Sequence, residues 1–195
     1  MKKVVVVFFL FSLLNSVGVA ANFAEKLSTA AIERTTHFVI YNGAYTKIDY
    51  PGGDVPAAIG VCTDVVIRSY RALNIDLQKE VHEDMKANFS LYPKIWGLTR
   101  TDTNIDHRRV PNLRVFFKRH GASLPVTNKA SDYLAGDVVS WVLSNNMTHI
   151  GVVVDRKSED GLRPMVVHNI GLGPQLEDML FDYTITGHYR YFPGE

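Results

Sequence analysis

The sequence predicts an α+β domain in which N-terminal helices pack on one face of an antiparallel β-sheet. Two observations carry that expectation. Before about residue 120, apolar residues recur at three- and four-residue steps. After Gly136, β-branched and aromatic runs of strand length alternate with Gly, Asn, Asp and Pro turns. Helices first and strands later is the order of an α+β architecture.

The elements follow in chain order. Asn22 to about Phe38 is helical, with Phe23, Leu27, Ala30, Ala31 and Arg34 at helical spacing. Tyr41 to Asp54 is turn-rich and ends in Tyr50-Pro51-Gly52-Gly53-Asp54. Gly60 precedes a second helix, Val61 to Leu73, whose apolar positions form one face. Asp76 is placed to cap a third, which runs to about Asn88. Leu91 to Pro111 reads as irregular and polar, and Asn112 is read as the cap of a short helix to His120, closed by Gly121. Strands are expected at Asp137–Val142, Thr148–Asp155, Arg163–Asn169 and His188–Phe192.

The first 20 residues carry a different signal. Lys2 and Lys3 precede an apolar run from Val4 to Leu14 and a small-residue exit at Gly18, Ala20 and Ala21. That is the pattern of a secretory leader, and the run is short for a membrane span. The reading is therefore a signal peptide over 1–20 and one domain over 21–195, delivered to the periplasm with no integral membrane segment in the mature chain. The whole chain has 21 basic and 20 acidic residues; without Lys2 and Lys3 the balance is 19 to 20. Near-neutrality argues against nucleic acid as a partner.

There is one cysteine, Cys62, so no disulfide can form within the chain. It falls at the start of the Val61–Leu73 helix, where unpaired amides and the helix dipole favour a thiolate and can hold an oxyanion. His149 and His168 occupy similar places on two expected strands. If those strands are antiparallel neighbours, one imidazole can act as base and the other can fix its tautomer. Asp64 suits either stabilisation of the helix N-terminus or pairing with an arginine. Asp102, Asn104, Asp106, His107, Arg108 and Arg109 crowd into eight positions. They read either as a solvated loop or as a wall that grips substrate carboxylates through its arginines. His82-Glu83-Asp84-Met85-Lys86 lacks the second His of a zinc helix, and no other spacing suggests a metal. His82, His120 and His188 read as surface or structural.

Taken together, Gly60-Val61-Cys62-Thr63-Asp64, Gly136-Asp137-Val138-Val139, His149-Ile150-Gly151-Val152 and Val166-Val167-His168 resemble the NlpC/P60 superfamily of papain-like cysteine peptidases. Within it, Tyr50-Pro51-Gly52-Gly53-Asp54-Val55-Pro56, Val61 to Arg68, Asn104 to Leu113 and His168-Asn169-Ile170-Gly171 are similar to DUF1287, a bacterial family of unknown function. The likeness runs from about Tyr41 to Tyr191. It implies Cys62 as nucleophile, His149 as base, His168 as the orienting residue and Tyr50 as an oxyanion donor, with no metal or organic cofactor. Many superfamily members have Asp-Cys-Ser at the nucleophile, where this chain has Val61-Cys62-Thr63-Asp64.

The expectation is an exported amide hydrolase acting on peptidoglycan stem peptides or other envelope peptides. An inactive binding module and an acyltransferase are the alternatives.

Overall fold

The computed structural model describes residues 22–193, so the leader expected over 1–20 lies outside the described residues. The fold is α+β, with four helices and an antiparallel sheet. Helix α1 covers residues 22–34, α2 Cys62–Arg71, α3 Leu77–Ala87 and α4 Val110–Arg119. Two short strands, β1 (Ile40–Tyr41) and β2 (Ile59–Gly60), pair in parallel. The main sheet holds β3 (Ser123–Leu124), β4 (Val138–Val142), β5 (Thr148–Lys157), β6 (Pro164–His168), β7 (Gln175–Glu177) and β8 (Thr184–Tyr189). Its order is β3-β8-β4-β5-β6-β7, and every pairing is antiparallel.

Strand alternation sorts the sheet residues onto two faces. Val138, Ile150, Val152, Val154 and Val167 meet α1, α2, α3 and α4 in a core that includes Leu27, Val66, Leu113 and Phe117. Val139, Trp141, Val153 and Val166 lie on the opposite face, covered by Tyr133, Met179 and Leu180. Trp141 is anchored there, its indole N–H donating to the Leu180 carbonyl at 3.0 Å. The second layer is loop rather than helix, which is why the sequence pattern shows helices for one face only.

Local chemistry sets the helix ends. Asp76 caps α3 by accepting from the backbone N–H of Gln78 and Lys79. Asn112 does not cap α4: the helix starts at Val110 with Pro111 in its first turn, and Asn112 is buried, donating to the Asp106 carbonyl at 3.0 Å. Proline suits a first turn because its missing N–H would have had no partner there. The last strand lies N-terminal to the His188–Phe192 expectation, because β8 pairs with β4 over Thr184–Tyr189.

Candidate active site

Helix α2 begins on Cys62, which is 5 % exposed, and its sulfur meets the backbone N–H of Ile150 together with those of Cys62 and Thr63. The helix start is fixed by Asp64. One carboxylate oxygen accepts from the Val61 amide at 2.7 Å, and Arg108 donates to both oxygens at 2.9 Å each. Asp64 and Arg108 are both buried, so this pair belongs to the frame under the cysteine. Removing one member of such a pair strands the other charge.

The two histidines are joined by strand register. Val152 pairs with Val167 and Val153 with Val166, which puts His168 opposite Gly151 and diagonal to His149 on the same face. Gly151 permits the approach: a Cβ there would come within 2.8 Å of Val166 Cγ1 and 3.0 Å of His168 Cβ. His149 Nε2 and His168 Nδ1 are 3.0 Å apart, with the rings edge to face at 88°. On the next strand Glu177 faces Val166, again diagonal to His168. His168 Nε2 lies 2.6 Å from Glu177 Oε2. Three neighbouring strands thus carry one hydrogen-bonded line, His149–His168–Glu177.

The line fixes its own protons. The Glu177 carboxylate accepts, so His168 Nε2–H donates to it. Burial holds His168 below the usual imidazole range against the opposing pull of Glu177, so its Nδ1 carries a lone pair. His149 Nε2–H then donates to His168. His149 Nδ1 is left as an acceptor, with no hydrogen-bond partner among the described residues. Burial and the neighbouring His168 lower His149 to about 3, so the ring stays neutral in ordinary buffers.

A helix start alone argues for a lowered thiol pKa; burial reverses that. It pushes Cys62 up to about 12, with the Asp64 charge adding and the three amides opposing. At rest the thiol and the imidazole are therefore both neutral.

Tyr41 links the two halves. It is close enough to Cys62 and Asp64 for their charges to raise its phenol, after burial as the larger cause. It also lines a cavity of about 280 Å³ with Asn145, Thr148, His149, Ile170 and Tyr183. Tyr41 carries no signal in the sequence, because a two-residue strand in a turn-rich stretch leaves no periodic pattern. Tyr50 lies elsewhere, its ring 5.0 Å from His82 and its charged neighbours Glu83 and Asp76.

The Asp102–Arg109 segment is largely internal. His107 is 2 % exposed and lowered to about 3, by burial first and Arg108 next. Arg108 is committed to Asp64, and Arg109 lies over the Trp96 ring at 4.0 Å. A substrate wall built on His107 and Arg108 is therefore replaced by a buried brace. These residues look polar and loop-like in sequence, yet their charges are spent inside the molecule. Among the described residues no cluster of three or more His, Cys, Asp or Glu side chains is arranged to hold a metal, and no helix is long and apolar enough to cross a membrane.

The family profile described as a domain of unknown function, DUF1287, matches residues 28–191. The chain belongs to the DUF1287 family. It is also similar to the uncharacterized protein YijF of Escherichia coli (strain K12), 52% identical over 176 residues that cover 90% of this chain and 85% of that protein. Within this DUF1287 chain, the line from His149 to Glu177 and the thiol at the α2 start are the candidate reactive groups.

Proposed function

We propose that this DUF1287 protein is a cysteine-dependent amide hydrolase of the NlpC/P60, papain-like type. The observation that carries the reading is the His149–His168–Glu177 line, which leaves a lone pair on His149 beside a cavity that it shares with Tyr41, the neighbour of Cys62. The apolar leader makes the cell envelope its place of action, and peptidoglycan stem peptides its substrate class by analogy of fold.

The chemistry runs through neutral partners. When substrate enters, the Cys62 thiol gives its proton to His149 Nδ1 as sulfur attacks the amide carbonyl. The C–S bond forms and the carbonyl oxygen takes the negative charge. Backbone N–H groups at the α2 start and the Tyr41 hydroxyl are the donors for it. Collapse breaks the C–N bond, and His149 hands its proton to the departing amine. A water deprotonated by the same nitrogen then attacks the thioester and releases the acid and the thiol. His168 and Glu177 stabilise the imidazolium that forms in each half.

A second reading, an inactive binding module, draws on one observation: the resting thiol is buried and protonated. Incubation of the mature protein and its Cys62→Ala twin with whole peptidoglycan sacculi separates the two. New fragments from the parent alone, identified by mass spectrometry, support the hydrolase. Identical fragment patterns from both proteins, or none from either, overturn it.

A further inference from the structure

A second cavity, of about 230 Å³, reaches Gly60 of β2, and its walls include Arg34, Asp54, Asp64, Arg68, Arg71 and Asn169. Most of its charge is already spent. Arg68 holds Asp54 and the carbonyls of Val55 and Ile59; Arg71 holds Asp54 and the Gly53 carbonyl. Asp64 is neutralised by Arg108 and the Val61 amide. Two donors remain. Asn169 is 1 % exposed, its carbonyl oxygen accepts from Gly171, and its Nδ2 has no partner. Arg34 pairs through Nη2 with the exposed Glu33, but its own buried Nε has no partner.

A buried amide nitrogen without an acceptor is costly, and a guanidinium N–H more so. Both residues belong to the wall of one cavity that carries three arginines against two aspartates. We infer that this cavity is a carboxylate-binding subsite, with Arg34 Nε–H and Asn169 Nδ2–H donating to the ligand. These two buried, unpartnered donors suit the two oxygens of a carboxylate. A phosphate dianion would bring further charge toward Asp54 and Asp64. The site is tied to the reactive groups by covalent neighbours: Val61, in its wall, precedes Cys62, and Asn169 follows His168. As a specificity subsite for acidic peptides it rests on the hydrolase reading; as a carboxylate site it does not, because its test needs no turnover.

The test uses ¹⁵N-labelled Cys62→Ala protein and follows the Asn169 side-chain amide and the Arg34 Nε–H by NMR. Four probes are titrated: glutarate, N-acetyl-dialanine with a free C-terminal carboxylate, its C-terminal amide, and inorganic phosphate. Saturating shifts at both side chains with glutarate or the free-acid peptide, and none with the amide, are expected. Saturation by the peptide acid identifies a peptide-borne carboxylate, and by glutarate alone a small acid. Arg34→Gln, an α1 substitution that keeps the folded spectrum, weakens binding about tenfold or more, or about 1.4 kcal/mol, and Asn169→Asp abolishes it. Absence of saturation by either acid, equal binding of the amide, or tighter binding of phosphate would overturn the assignment.

Discussion

The main sheet carries two histidine–carboxylate groups, and they differ in what they leave over. In the first, His149, His168 and Glu177 run across β5, β6 and β7 and end on an unspent nitrogen beside a cavity. In the second, His188 lies between the Pro125 carbonyl and Asp137, at 3.1 and 2.7 Å. Asp137 also takes both Arg190 donors and the Leu134 amide. Every ring nitrogen of His188 is occupied, and Asp137 is wholly buried. Similar residue types thus build a candidate catalyst in one place and a clamp joining β4 to β8 in the other. The difference is the free lone pair.

Substitution should split the two groups cleanly. The largest effect is expected at Cys62 and His149: Cys62→Ala or His149→Ala removes turnover, by about 10³-fold or more, while the urea midpoint of Cys62→Ala moves little. Activity retained by Cys62→Ala would break the comparison from the catalytic side. Next comes the clamp. Asp137→Ala strands Arg190 and His188 and should cost roughly 3–5 kcal/mol of stability, read by urea unfolding. The kcat of its folded fraction should stay near that of the parent. A selective loss of kcat would mean that the clamp serves chemistry after all.

Glu177 sharpens the contrast. Glu177→Ala leaves His168 Nε2–H without its acceptor and lets both rings change tautomer. A fall in kcat of roughly 10- to 100-fold is expected, with KM little altered, the scale seen when the partner of a reactive imidazole is lost. Glu177→Gln, which keeps an acceptor oxygen, should recover part of it. A purely structural role for Glu177 would instead lower stability and leave kcat unchanged.

Two pH responses are smaller. Alkylation of Cys62 by iodoacetamide should accelerate as pH rises through the alkaline range, because burial holds the thiol near 12. A plateau in acid would reveal a ready-made thiolate–imidazolium pair. For stability, His149 and His107 are lowered to about 3 when folded, from 6.5. The unfolded chain therefore binds more protons between those values, and stability falls as pH drops from 6.5 toward 3. Asp106, raised to about 6 from 3.8, works the other way across its own window and offsets part of the loss. Replacing His107 by Asn should flatten the acid limb of a urea-midpoint profile.

The sequence carried the long elements well and the short ones poorly. The 3.6-residue spacing marks α2, and β-branched runs mark β4, β5 and β6, since each buries a whole face. Strand β7 has three half-buried residues between turns, and with it Glu177 gave no signal. Tyr41 sits on a two-residue strand and is illegible for the same reason. Cys62, His149 and His168 were legible because a lone thiol at a helix start and paired strand histidines are rare patterns. The fate of His107 and Arg108 was not. Whether a charged loop faces water or an internal partner depends on Asp64, 44 positions before Arg108, which no local pattern encodes.

Gly151 has one more consequence. The His149–His168 spacing depends on a hydrogen atom standing where any other residue has carbon. One added methyl would act as a spacer between β5 and β6, stretching the link between the two rings while leaving every polar atom of the line in place. The proton path would then be interrupted by geometry alone, in a protein whose chemical groups were all still present.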